Sequence, residues 1–170
     1  MNYNYTTHVH IYISIGIDVS KLFSEIIMCT NTKDLVVKKM IYHYLCNYAE
    51  IKSDLALLAI SSLQKDAKDD DPMVRGLALR SLCSLRLPHL IEYILLPLRA
   101  SLSDSSPYVR RTSVIGVSKL FSYSPDAVKN SDLIDVLYNM LKDRDCSVIQ
   151  CCIVALNEIL QSEGKYLGII

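Results

Sequence analysis

A motif that recurs four times constrains the fold of this chain more than any other feature. Each copy opens with a polar start and continues with apolar residues at i, i+3, i+4 and i+7, the spacing of one helix face. In the second copy, which starts at Asp71, this face carries Val74, Leu77 and Ala78. The copies start at Asp34, Asp71, Ser106 and Asp145, at intervals of 37, 35 and 39 residues. Periods of this length mark repeat architectures.

The start of each copy predicts a helix N-terminus. An Asp or Ser side chain there can accept a hydrogen bond from a free N–H group of the first turn. Pro72 and Pro107 follow Asp71 and Ser106, at the position where the missing N–H group of proline costs nothing. We therefore predict helix caps at Asp71, Ser106 and Asp145. A metal site in the acidic run 69–71 is the alternative, and capping is the commoner role of such a run.

Between the copies lie shorter apolar stretches, which predict a second helix in each repeat. The stretches cover residues 19–29, 54–64, 89–102 and 132–142, and Pro97 is expected to kink the third. Paired helices that can bury their apolar faces only against neighbouring pairs form an α-solenoid. The sequence thus predicts an all-α, right-handed α-solenoid of about four HEAT/armadillo-like helical hairpins.

The repeats also divide the chain. Residues 17–164 are predicted to form the solenoid segment. Residues 1–16 fit no repeat and are rich in Tyr, Asn and Thr, which predicts a disordered leader. Residues 165–170 follow the fourth helix pair without a polar capping repeat, which predicts a truncated end of a longer solenoid.

Composition and motifs narrow the function. The 18 basic residues balance 18 acidic ones, which argues against a nucleic-acid binder. The apolar stretch 9–17 is too short to span a membrane, and no Lys or Arg precedes it as in a secretory signal, so we predict no transmembrane segment and a cytoplasmic location. Six cysteines form no CxxC pair, which indicates reduced thiols and no metal site. A nucleophile elbow, an HExxH motif and a glycine-rich loop are absent from the sequence, so we predict no catalytic residues, no cofactor and no enzyme activity. A cysteine enzyme using Cys151 or Cys152 is the alternative from a different class.

The residue types in the repeats indicate a narrower group of proteins than the spacing of the apolar positions does. The segments LALLAI at 55–60, DPMVRGLALRS at 71–81 and PYVRR at 107–111 resemble the trunk of the beta subunits of the clathrin-adaptor complexes. The resemblance extends over residues 19–164. The segments PMVRG at 72–76 and SLCSLR at 81–86 resemble most closely the beta subunit of the fourth adaptor complex.

This resemblance implies a large subunit of a heterotetrameric vesicle coat that sorts cargo in protein transport. It implies a second large, a medium and a small chain as partners. It also implies an Arf-family GTPase and an acidic membrane surface, with a peripheral location on trans-Golgi network or endosomal membranes. Another HEAT-type scaffold, such as a coatomer or nuclear-transport protein, is the alternative among binding proteins.

Basic residues recur at one position of the repeats. Arg75 and Arg110 are equivalent, and Lys38 stands one repeat earlier. One interpretation is contact with acidic lipid headgroups or a GTPase, worth about 1 kcal/mol per cation near an anionic membrane. The other is pairing with carboxylates of neighbouring repeats, which the zero net charge favours. The candidate contact residues are Lys38, Lys39, Arg75, Arg80, Arg110 and Arg111.

Overall fold

A computed structural model of the chain describes residues 3–162 and residue 164. Helix and irregular segments alternate, and this part of the chain contains no β-strand. The helices are α1 (Tyr3–Ser14), α2 (Phe23–Met28), α3 (Leu35–Tyr48), α4 (Ser53–Asp66), α5 (Pro72–Leu82), α6 (Ile91–Ser101), α7 (Pro107–Tyr123), α8 (Pro125–Lys129), α9 (Leu133–Asn139) and α10 (Cys146–Ser162). Short 3₁₀ turns at Ser20–Leu22, Pro88–Leu90 and Met140–Lys142 adjoin α2, α6 and α9.

The helices form the four predicted hairpins, α2/α3, α4/α5, α6/α7 and α9/α10. The second helices pack in chain order, α3 against α5, α5 against α7, and α7 against α10. We call these four helices the second-helix layer. The first helices pack on this layer, so each repeat buries its apolar face against its own partner helix and against the next repeat. The all-α fold of stacked helical hairpins is therefore confirmed.

Close contact between neighbouring second helices explains two glycines inside helices. A Cβ atom at Gly76 of α5 would lie 2.3 Å from the Tyr108 ring of α7. A Cβ atom at Gly116 of α7 would lie 2.8 Å from the Cys83 Sγ atom. Glycine costs a helix about 1 kcal/mol relative to alanine. Here it permits the approach of α5 and α7, on which the layer depends.

Two features differ from the sequence-based expectation. Residues 3–14 form a helix that packs on α3, where a disordered leader is expected. The reason is that Val9 and Ile13, four residues apart, share a face that contacts the core. The helix α8 falls between the predicted stretches. Pro97 lies inside α6, and the kink expected there stays a prediction. The predicted truncated end at 165–170 lies outside the described residues.

Candidate functional site

Arg75 joins the second repeat to the third through a two-pronged ion pair. Its Nε and Nη2 atoms donate to the two carboxylate oxygens of Asp104, each at 2.8 Å. Its Nη1 atom donates to the backbone carbonyls of Asp69 and Asp70, each at 2.9 Å. Burial tends to raise the pKa of Asp104, but hydrogen bonds from Arg75 and from the Ser106 N–H group hold that pKa below its ordinary value.

Arg110 repeats this geometry between the third and fourth repeats. Its Nε and Nη2 atoms donate to the carboxylate of Asp143, each at 2.8 Å. Its Nη1 atom donates to the carbonyls of Asp104 at 2.9 Å and Ser105 at 3.1 Å. The hydrogen bond from Arg110 is the main cause that lowers the pKa of Asp143. The Arg110 guanidinium thus links the loop that precedes α7 to the loop that precedes α10, the second helix of the next repeat.

Lys38 occupies the equivalent position of the first repeat and is buried, with only 4% of its surface exposed. Its Nζ atom lies 2.5 Å from a carboxylate oxygen of Asp66 and donates to the carbonyl of Thr30 at 3.1 Å. The Tyr42 hydroxyl donates to the same Asp66 oxygen. Burial and this hydrogen bond raise the pKa of Tyr42. The cluster links α3 to the end of α4.

The three equivalent cations therefore pair with carboxylates of neighbouring repeats, which is the second of the two interpretations of the sequence. Arg75 and Arg110 direct their charge to carboxylates of the next repeat, and their side chains are 14% and 16% exposed. Lys38 departs from the predicted surface role, because its buried ammonium group is out of reach of a membrane or a GTPase. These residues hold the repeats together.

The three predicted caps differ from one another. The Asp71 carboxylate accepts the N–H of Met73 at 2.8 Å, and that of Asp145 accepts the N–H of Ser147 at 2.8 Å. Ser106 stands at the N-cap of α7, but its side chain makes no capping hydrogen bond. At that start, the Asp104 carboxylate orders the loop instead, by accepting the N–H of Ser106.

Lys39, Arg80 and Arg111 lie on the second-helix layer, on α3, α5 and α7. Arg80 lines a cavity of about 580 Å³ together with Lys39, and a second cavity of about 190 Å³ together with Arg111. None of the ion pairs in residues 3–162 includes these three cations. Their contact with a membrane or a GTPase stays a prediction.

The described residues hold no cluster of three or more His, Cys, Asp or Glu side chains that could bind a metal ion. The six cysteines, all within the described residues, form no disulfide bond. Cys152, one of the two candidate nucleophiles, is buried, and burial raises its pKa to about 11. A thiol of that pKa is protonated at neutral pH and is a poor nucleophile. Across the described helices, no segment has the length and apolar character that a bilayer crossing requires.

The carboxylates that receive the arginines were missed in the sequence, although a signal exists. Asp69, Asp104 and Asp143 each stand two residues before a repeat start. Each accepts the backbone N–H of that start residue, at 2.8–2.9 Å. An aspartate that recurs at this position, with arginine six residues later in two copies, is the pattern to look for. No comparable signal identifies Asp66.

Comparisons with known proteins agree over most of the chain. The family model described as "Adaptin N terminal region" matches residues 4–170. "Beta-adaptin-like protein A" of Arabidopsis thaliana is 50% identical over 156 residues, which are 91% of this chain and 18% of that protein. "AP-4 complex subunit beta-1" of Mus musculus is 46% identical over 149 residues, which are 88% of this chain and 20% of that protein. The chain thus spans about a fifth of the length of these relatives.

The fold is also found in a larger assembly. One chain of a structure described as "Homology model of the full-length AP-3 complex in an intermediate open conformation" superimposes with a TM-score of 0.80 at 25% identity. The match covers 95% of this chain and 29% of that one. An engineered protein superimposes with a TM-score of 0.61 at 18% identity, a likeness of fold alone.

Proposed function

The chain belongs to the family of adaptin N-terminal regions, and from this membership we propose that it is a segment of a β-type large subunit of an adaptor-protein vesicle coat. The observation that carries the proposal is the family match over residues 4–170, supported by relatives named as beta subunits of adaptor complexes. In this role the chain serves intracellular protein transport and vesicle-mediated trafficking.

The mechanism we propose is binding. A stack of helical hairpins offers extended surfaces, and each repeat contacts only its neighbours, so the ion pairs at the repeat junctions set the relative position of those surfaces. The junction cations are occupied by Asp66, Asp104 and Asp143. They keep the scaffold in register while other side chains meet partners. Residues 17–164 are the solenoid segment in this proposal.

Within the family, we propose membership of the fourth adaptor complex. The chain is 46% identical to the AP-4 beta subunit of Mus musculus and 40% identical to that of Dictyostelium discoideum. It is 36–37% identical to the AP-1 beta subunits of Mus musculus, Homo sapiens and Dictyostelium discoideum. In Mus musculus and in Dictyostelium discoideum, the AP-4 beta subunit is more similar to this chain than the AP-1 beta subunit is, which supports this assignment.

The partners we propose are a second large chain, a medium chain and a small chain. An Arf-family GTPase and an acidic membrane surface are proposed as further partners, with a peripheral location on trans-Golgi network or endosomal membranes. The chain needs no cofactor for this role, because holding subunits together requires surface complementarity and no reaction step.

The test is mass spectrometry of proteins that co-purify with the tagged chain from cytosol at moderate salt, which screens nonspecific charge contacts. Recovery of a second large adaptin with medium and small chains is expected, and their subtype identifies the complex. A Leu137→Asp variant, which places a charge in the core, is the control for proteins that bind unfolded chain. Recovery of coatomer or nuclear-transport subunits in place of adaptins would contradict the proposal.

A further inference from the structure

A basic groove crosses the second-helix layer where α3, α5 and α7 lie side by side. Its larger cavity, of about 580 Å³, is lined by Lys39, Arg80, Arg86 and Lys119 among others. Its smaller cavity, of about 190 Å³, lies between α5 and α7, shares Arg80 and Lys119 with the larger one and adds Arg111. These five cations define the basic groove.

Among the described residues, the cations of the groove have no carboxylate partner, unlike those at the repeat junctions. The ion pairs in the described chain involve Lys38, Arg75, Arg99 and Arg110, and none involves a groove cation. Lys119 donates to the Ser84 hydroxyl at 3.1 Å, which is an uncharged partner.

Five positive side chains thus share a groove whose lining includes one carboxylate, that of Glu50. The chain as a whole has zero net charge, so this concentration of one sign is local. Like charges repel one another, and a cleft between low-dielectric walls strengthens their field. An anionic occupant removes the repulsion and gains from the field.

The dimensions of the groove favour an extended occupant. Packed helices lie about 8–10 Å apart, so the distance from α3 across α5 to α7 is about 16–20 Å. A peptide in extended conformation covers about 3.3 Å per residue and spans that distance with about six residues. A single small anion reaches only a fraction of the cations, and a flat bilayer does not enter cavities between helices.

The chemistry of the lining also suits a peptide. Arginine binds carboxylates in a two-pronged geometry, as Arg75 and Arg110 do elsewhere in this chain. The half-buried Leu77 adds apolar surface, and Asn47 and Ser84 add hydrogen-bonding groups along the larger cavity. We propose that the basic groove binds an acidic peptide segment, with its carboxylates at Arg80 and Lys119, where the two cavities meet. All the residues that line this site belong to this chain.

The test measures binding of a fluorescein-labelled peptide of six consecutive glutamates, flanked by glycine and serine, by fluorescence anisotropy at about 0.1 M NaCl. The Arg80→Glu/Lys119→Glu variant is expected to bind at least tenfold more weakly than the unaltered chain. The matched control is Lys33→Glu/Lys142→Glu, which makes the same change in net charge at exposed positions outside the groove. This control is expected to stay within threefold of the unaltered chain.

Circular dichroism establishes that both variants keep their helix content, and an Arg80→Lys/Lys119→Arg variant, which keeps the charge, is expected to retain binding. Equal weakening in the two charge-reversal variants would overturn the proposal, because it would reveal attraction by net charge alone. Absence of peptide binding would also overturn it. If vesicles rich in phosphatidylinositol phosphates then bound through Arg80 and Lys119, the occupant would be a membrane.

Discussion

The cation at the repeated position has different partners at the junction between the first two repeats and at the two junctions that follow it. Arg75 and Arg110 each reach a carboxylate two residues before the next repeat start and also bind two backbone carbonyls. Lys38 stands at the same position but pairs with Asp66, at the end of α4. Asp69 stands two residues before the start of its repeat, as Asp104 and Asp143 do, and accepts the backbone N–H of that start residue. Lys38 nevertheless pairs with Asp66.

The side chain at the repeated position explains the difference. A guanidinium presents donors in a planar fork, so one arginine can satisfy a carboxylate and two carbonyls that surround it. An ammonium is a compact charge on a flexible stem. Lys38 has one carboxylate and one carbonyl as partners, and Tyr42 supplies a further donor to that carboxylate. The Lys38 side chain is 6% exposed, against 14% for Arg75 and 16% for Arg110, so the cation of the first junction is the most buried of the three.

The largest effect is expected when the first junction loses its cation. Lys38→Met leaves the Asp66 carboxylate buried with Tyr42 as its remaining side-chain partner. Removal of one member of a buried ion pair costs about 3–5 kcal/mol, and urea denaturation should show a decrease of this size in the free energy of unfolding. The double variant Lys38→Met/Asp66→Leu is expected to recover most of the loss. A decrease below about 1 kcal/mol in the single variant would show that the pair is effectively solvated.

A smaller loss is expected at the second junction. Asp104→Asn keeps the backbone carbonyl that Arg110 binds, but removes the charge that Arg75 faces. Because this pair is partly solvated, we expect a decrease of about 1–2 kcal/mol in the free energy of unfolding. The measurement is the same urea titration, and Asp135→Asn, at an exposed position outside the junctions, is the control. A loss as large as that for Lys38→Met would contradict the comparison.

The arginine junctions should also be sensitive to acid. Asp104 and Asp143 have folded-state pKa values below the ordinary value of 3.8, so their contribution to stability is present above that value and is lost as the pH falls through the lowered folded pKa. We expect the free energy of unfolding to fall below about pH 4. The Asp104→Asn/Asp143→Asn variant should show a shallower decrease over that interval. Equal slopes would mean that other carboxylates carry the acid response.

The smallest effects are expected at the helix starts that flank the junctions. Asp71→Ala removes a capping hydrogen bond to Met73 and is expected to cost about 1 kcal/mol. Ser106→Ala removes a hydroxyl that makes no capping bond, so the expected cost is below about 0.5 kcal/mol. Thermal unfolding of the two variants measures the difference. Equal costs would show that Ser106 caps α7 in solution.

Much of the fold could be predicted because its signals are local. The helix starts at Asp71 and Asp145 follow from capping chemistry, and the apolar faces follow from the helical period. The helix at residues 3–14 was missed because it belongs to no repeat, and its packing on α3, with Val9 buried, is a tertiary event. The candidate site was predicted less well, because cations that are adjacent in the sequence differ in burial: Lys38 is buried and Lys39 is exposed.

The sequence by itself determined the repeated hairpins, the family and the recurrence of a cation at one position of the first three repeats. These depend on spacing within one repeat, where the period of the helix places residues on a known face. Only the tertiary structure decided that Lys38 is buried against Asp66, and that Lys39, Arg80 and Lys119 share one groove. Those arrangements join residues 28 to 80 positions apart, and their geometry depends on how one repeat packs on the next.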